Sequence, residues 1–166
     1  GLELGCGGGY FVYLMNKKGK YFVGIDLSEY AISEGSEKLN LDDRLAVSSI
    51  HDLSIFPDDY FDLIHSQQVL EHLPTELVPL LIQELSRVCK KGCLLYLFLV
   101  LGYKGQIAKA DNDIDKTHIN LKPKEWWDYH FSKKGFNPIN TEYIGKIKIS
   151  NYKELAHIHK AFYIKG

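Results

Sequence analysis

A doubly wound α/β sheet is the fold class this sequence predicts. Three observations predict it. Short apolar runs alternate with amphipathic stretches along the chain. A glycine-rich turn joins the first apolar run to the first amphipathic stretch. The run Leu94 to Leu101 is almost unbroken by polar residues, as in strands buried on both faces of a parallel sheet.

The elements follow in order. Gly1 to Leu4 reads as the tail of a strand, so the chain starts inside that strand and its lead-in is expected to lie outside the sequence. Tyr10 to Lys18 reads as a helix stopped by Gly19. Tyr21 to Asp26 is a buried strand. Ser28 caps a helix reaching about Leu39, with Glu29 in its first turn. Arg44 to Ser48 and Phe61 to Ser66 are the third and fourth strands, with a turn at Pro57-Asp58-Asp59 between them. Thr75 to Cys89 places Leu77, Leu80, Leu81, Leu85 and Val88 at helical spacing. Lys90-Lys91-Gly92 reads as the stop of that helix, and the fifth strand follows from Gly92 to Leu101. Gly102 to Asn120 is a polar loop of the length that functional loops reach. Lys122 to Lys134 is a helix, Phe136 to Ile149 is broken strand-like sequence, Asn151 to His159 a short helix with His157 and His159 exposed, and Lys160 to Lys165 a last strand.

Bulk properties narrow the function. At 166 residues, 45% hydrophobic and 25% charged, the chain fits one soluble domain spanning 1–166. A net charge of −1 supplies no broad basic field, which disfavours a nucleic-acid partner. No apolar run is long enough to span a bilayer. Three cysteines, Cys6, Cys89 and Cys93, fit a reducing cytoplasm better than a disulfide framework, and Cys89 and Cys93 lack zinc-site spacing. Oligomeric state has no signature in the sequence.

The sharpest local signal is Glu3-Leu4-Gly5-Cys6-Gly7-Gly8-Gly9-Tyr10, set between a strand and a helix. Glycines there let backbone approach a ligand, and the helix start offers free amides. A dinucleotide site wants Gly-x-Gly-x-x-Gly, which would put its third glycine at Tyr10. A carboxylate at Glu3 opposes a pyrophosphate and suits a cationic ligand. Asp26 ends the second strand about 20 residues past the turn, where an acid can bind both ribose hydroxyls; it reads equally as a helix cap beside Ser28. Asp52, in Ser49-Ile50-His51-Asp52-Leu53, can accept an adenine amine with Leu53 over the ring, or be a solvated turn residue.

In this order and spacing, the set resembles the class I S-adenosylmethionine-dependent methyltransferase superfamily. It is most similar to the small-molecule branch containing ubiquinone- and menaquinone-biosynthesis-type enzymes. The first motif matches Leu2 to Gly9, the ribose acid Asp26 in Gly24-Ile25-Asp26-Leu27-Ser28, and the adenine acid Asp52. Phe56 to Ile64, Val69-Leu70-Glu71-His72-Leu73 and the segment Leu85 to Leu95 match later motifs, so the resemblance runs from residue 1 to about 101.

The resemblance implies a Rossmann-like seven-stranded sheet in the order 3-2-1-4-5-7-6 with the seventh strand antiparallel. It implies S-adenosyl-L-methionine as cofactor, with S-adenosyl-L-homocysteine as product. Cofactor-binding residues are then Glu3, Gly5, Cys6, Gly7, Gly9, Tyr10, Asp26, Leu27, His51, Asp52, Leu53, Ser66 and Gln67. Relatives that methylate amino groups often carry Asn/Asp-Pro-Pro-Tyr after strand four. Here that place reads Ser66-Gln67-Gln68-Val69, so a small-molecule acceptor methylated at oxygen is preferred.

His118, in Asp115-Lys116-Thr117-His118-Ile119-Asn120, is the candidate base, or else a loop anchor. His72 is a weaker catalytic candidate, with a structural role favoured, and no metal is expected. Trp126 and Trp127 read as packing residues. The alternatives are a catalytically inactive S-adenosylmethionine-binding module and a nicotinamide-dependent oxidoreductase.

Overall fold

The computed structural model describes residues 1–102, 115–139 and 158–166. Its elements are β1 (Leu2–Leu4), α1 (Tyr10–Lys17), β2 (Val23–Asp26), α2 (Glu29–Leu39), β3 (Leu45–Val47), β4 (Phe61–Gln67), α3 (Val78–Val88), β5 (Cys89–Val100), α4 (Lys124–Ser132), β6 (Phe136–Pro138) and β7 (Ile158–Lys165). Two single 3₁₀ turns, Leu70–His72 and Thr75–Leu77, lead from β4 into α3.

The strands form one sheet in the order β3-β2-β1-β4-β5-β7-β6. β1 to β5 pair in parallel, whereas β7 runs antiparallel to both β5 and β6. The expected order and the reversed seventh strand are both present. β1 is three residues long and sits centrally, with Leu4 facing Ile25 on one side and Ser66 on the other.

Burial explains why these segments are strands. Leu2, Leu4, Ile25, Ile64, Leu95 and Leu97 have no exposed surface. Each such side chain is worth about 1.5–3 kcal/mol once removed from water. Against the sheet α3 buries Leu81, Ile82, Leu85 and Val88, the stripe its sequence spacing predicts. Trp127 and Phe131 of α4 bury against the same core, so the tryptophan pair packs as expected.

Three local expectations need correction. Lys90-Lys91-Gly92 does not end a helix; β5 starts at Cys89, directly after α3. Cys89 faces Phe61 while Leu94 faces Leu63, so the extra residues of β5 bulge out. Gly92 takes a φ of 81° there, and Lys90 reaches the Asp62 carboxylate at 3.0 Å. Secondly, the first turn of the Thr75 helix is 3₁₀, because Pro79 blocks an α-helical amide bond one turn earlier. Thirdly, Ile158 and His159 belong to β7, paired with Val100 and Leu99, rather than to a helix. The remainder of that expected helix, including His157, lies outside the described residues.

Among the described residues no helix is long and apolar enough to cross a membrane. Cys6, Cys89 and Cys93 are buried and unbridged.

Candidate active site

All five parallel strands end on one edge of the sheet, where the loops leaving β1, β2, β3 and β4 begin. Ligands in open α/β sheets bind at this edge. The β1–α1 loop explains its own spacing. Gly5, Gly7 and Gly9 adopt φ of 65°, 51° and 75°, left-handed values that glycine adopts without strain. That alternation is why the sequence reads Gly-x-Gly-x-Gly. At Gly5 a side chain would also strike Val69 at 2.4 Å. Cys6 is buried beneath the loop, and burial pushes its thiol up to about 12. Tyr10, first residue of α1, is 66% exposed beside the loop.

Asp26 closes this loop against the next. Its Oδ2 accepts the Gly7 amide at 2.8 Å and its Oδ1 accepts the Ser28 amide at 2.9 Å. The sequence alone left Asp26 as either a ligand acid or a cap. The helix cap is Ser28, whose hydroxyl accepts the Ala31 amide at 3.1 Å. A carboxylate offers about four lone-pair sites. Two are used internally, so two remain to accept a pair of vicinal hydroxyls. Leu27, next in line, is 72% exposed and offers an apolar surface there.

The β3 loop supplies the third acid. Asp52 Oδ1 accepts the Ser54 amide at 3.1 Å. The Ser54 hydroxyl and amide hold the Asp52 carboxyl below the usual range, so it stays ionised. His51 Nδ1 lies 2.7 Å from the Ser49 hydroxyl. Leu53 departs from expectation: it is wholly buried in the core and so lies under the loop rather than over a ligand ring. Its backbone is held at both ends, the amide by Glu84 at 3.0 Å and the carbonyl by Arg87 at 2.8 Å.

Glu3 also differs from its expected place. It is 7% exposed and turned to His65 of β4, with Oε1 3.4 Å from Nδ1. Phe11 stacks on the same imidazole at 4.2 Å. Burial raises the Glu3 carboxyl above its ordinary value, while His65 and the Val12 amide pull the other way. Its carboxyl group is thus turned toward β4 and away from solvent. Ser66 is fully buried beside β1, and Gln67 ends β4 with an exposed side chain. Gln68 follows at a φ of 54°, its amide donating to Phe98 at 3.1 Å.

A second group gathers after β4 and β5. The Glu71 carbonyl accepts the amides of Ile119 and Asn120 at 3.0 and 2.9 Å, docking the later loop onto the 3₁₀ turn. Thr75 donates to the buried Asn120 side chain at 2.9 Å. This brings the rings of His72 and His118 to 4.8 Å between centroids. His118 Nε2 stands 3.7 Å from Asp115. The two histidine candidates therefore share one place.

Sequence reasoning missed four contributors. Gly35 of α2 abuts the glycine loop so closely that a side chain would meet the Gly8 carbonyl oxygen at 2.2 Å. Glu84 and Arg87 form the frame behind Asp52. His65 is the partner of Glu3. A glycine inside an amphipathic helix was the one available signal among these.

A nucleoside fits this edge. Bare backbone lies at the loop, two acceptor sites remain on Asp26, and an ionised Asp52 stands beyond the third strand. Comparison with known proteins agrees. The methyltransferase domain family matches residues 2–97. Ubiquinone biosynthesis O-methyltransferase of Hahella chejuensis (strain KCTC 2396) is 32% identical over 140 residues, covering 75% of this chain and 57% of that protein. A probable chloroplastic tocopherol O-methyltransferase of Oryza sativa subsp. japonica is 29% identical over 129 residues, covering 75% of this chain and 33% of that protein. The chain thus spans about a third to somewhat over half the length of these two relatives. An S-adenosylmethionine-dependent methyltransferase structure from Archaeoglobus fulgidus superposes with a TM-score of 0.74 at 19% identity, covering 99% of this chain and 85% of that one, which shows a shared fold. This chain belongs to the methyltransferase domain family, within the class I S-adenosylmethionine-dependent methyltransferases.

Proposed function

We propose that the protein transfers a methyl group from S-adenosylmethionine to a hydroxyl oxygen of a small-molecule acceptor. The observation that carries this reading is Asp26, whose carboxylate holds the glycine loop and the start of α2 while keeping acceptor capacity for a ribose. Support for oxygen comes from the two curated relatives, both named O-methyltransferases, and from Ser66-Gln67-Gln68-Val69 standing where an amine-methylating element would be.

When bound, the cofactor supplies a methyl group on a positively charged sulfur that is its own leaving group. The chain's work is therefore orientation and exclusion of water. The glycine loop and Tyr10 border the amino-acid end, Asp26 holds the ribose, and Asp52 accepts from the base. Leu27 takes the apolar covering role that the buried Leu53 cannot. Glu3 acts through the loop above it rather than by contact. A hydroxyl acceptor loses a proton as its oxygen gains the methyl group. His72 and His118 are the titratable pair beyond β4 and β5 placed to manage that proton.

Isothermal titration calorimetry with S-adenosylhomocysteine tests the cofactor half. Binding at micromolar ligand is expected, and no heat at millimolar ligand would refute it. Labelled donor incubated with a panel of phenolic, alcoholic and amine acceptors tests the other half. Label on amines alone would overturn the preference for oxygen, and cofactor binding without label on any acceptor would favour a non-catalytic binding module.

A further inference from the structure

We propose that His65 of β4 is a positioning residue for cofactor binding, holding the glycine loop in shape through its contact with Glu3. His65 lies opposite Glu3 of β1 and opposite Tyr96 of β5, and Tyr96 lies opposite Phe162 of β7. Neighbours in register point to the same face of a sheet, so the four side chains form one row across it. Glu3 and His65 are both buried in that row.

The His65 ring is boxed in. Phe11 of α1 stacks on it, with centroids 4.2 Å apart and planes 21° apart. Tyr96 and Phe98 stand against it at 5.6 and 5.9 Å. Held so, Nδ1 faces Glu3 Oε1 at 3.4 Å. The other carboxyl oxygen, Oε2, is buried with no hydrogen-bond partner among the described residues. His65 is therefore the main support of this carboxyl. The Val12 amide of α1 favours its ionised form as well, and the Asp26 charge opposes it. The His65 contact survives wherever the proton sits. Either Nδ1–H donates to the carboxylate, or the protonated carboxyl donates to Nδ1.

The place of these contacts in the chain gives them their role. Glu3 stands two residues before Gly5, and Phe11 two residues after Gly9. One imidazole on β4 thus touches the chain on both sides of the loop. Glycine loses more conformational freedom on ordering than any other residue, and the loop holds Gly5, Gly7, Gly8 and Gly9. Ends fixed in advance lower the cost of ordering it around a ligand. Stability alone is a weak reason for the pair, because apolar residues of similar volume often serve a core as well as a buried carboxyl and its partner. The inference rests on cofactor binding at the glycine loop and not on the nature of the acceptor.

The full chain is titrated with S-adenosylhomocysteine by calorimetry, with thermal unfolding measured alongside. H65F keeps a ring against Phe11 but cannot bond Glu3. H65N loses the ring, but its carboxamide can donate or accept near the place of Nδ1. H65F should bind about fivefold or more weakly than wild type, the loss expected when a loop must be ordered on binding. H65N should bind more tightly than H65F although it has the lower Tm. Packing alone predicts the reverse order, because H65F fills the site and H65N leaves a void. If H65F does not fold, E3M/H65F, which leaves neither polar group behind, carries the same expectation. A smaller loss in the folded phenylalanine variant overturns the inference, as does an H65N that binds no better than it. A wild type that binds no S-adenosylhomocysteine overturns the cofactor site itself, whereas normal wild-type binding with an unchanged H65F sinks this inference alone.

Discussion

Asp26 accepts the Gly7 amide at 2.8 Å, across 19 residues of sequence, and so ties the first ligand loop to the second. The carboxylate has two tasks that one substitution removes together. D26N keeps the size but loses the charge and presents an N–H₂ to one of the two backbone donors. Hydrogen bonds to charged groups are worth about 1.5–3 kcal/mol. That predicts S-adenosylhomocysteine binding weaker by roughly 10- to 150-fold in calorimetry. A variant with affinity within twofold of wild type would remove Asp26 from the site.

Gly35 reverses the usual rule for glycine in helices. Replacing an interior helical glycine by alanine ordinarily stabilises by about 0.5–1 kcal/mol. Here the added methyl would meet the Gly8 carbonyl oxygen at 2.2 Å and the Gly8 carbonyl carbon at 2.6 Å, backbone atoms that cannot rotate away. G35A should therefore destabilise by about 1–3 kcal/mol, as overpacking does. Cofactor affinity should fall as well, because the loop must move. Thermal unfolding gives the sign directly: a higher Tm in G35A contradicts the close approach.

What could be read from the sequence divides along physical lines. The sheet was legible because strands buried on both faces are continuous apolar runs, and the loop because positive φ at alternate positions demands glycine. Asp26 and Asp52 were legible as acids at strand ends. The environments of Glu3 and Leu53 were not. A side chain's direction depends on the residue across the sheet, and nothing near Glu3 in the chain announces His65, 62 residues on. The bulge at Gly92 was hidden for the same reason: it is set by pairing with β4, while Lys-Lys-Gly locally mimics a helix stop. The His72–His118 meeting depends on a loop docking across 45 residues.

Arg87 carries the Asp52 loop from behind. Its Nε and one terminal nitrogen hold both oxygens of Glu84, at 2.9 and 2.7 Å. The remaining donors reach the carbonyls of Phe56 and Leu53, both at 2.8 Å, and Asp58 at 2.9 Å. These contacts hold the guanidinium firmly protonated, Glu84 first among them. Lysine has three donors on a single nitrogen and cannot reproduce the planar fork. R87K should lose about 1–3 kcal/mol of stability and weaken cofactor binding severalfold through Asp52. Chemical denaturation measures the first and calorimetry the second. A stability loss with intact affinity would show that the loop holds its shape without the arginine.

Glu3 gives a pH prediction whose sign follows from burial. Its carboxyl titrates above the ordinary value in the folded protein, with desolvation the largest cause. Below the unfolded value, near 4.3, the group is protonated in both states and incurs no penalty. As pH rises through the folded value, the native state must hold a buried charge that the unfolded chain solvates freely. Stability contributed by the protonated form is then lost. E3Q cannot ionise. The Tm of E3Q minus that of wild type should therefore grow more positive as pH rises from about 4 toward neutrality, and level off once Glu3 is ionised in both states. If the difference stays flat or falls over that window, His65 and the Val12 amide outweigh desolvation, and the Glu3 carboxylate is stabilised rather than strained beneath the loop.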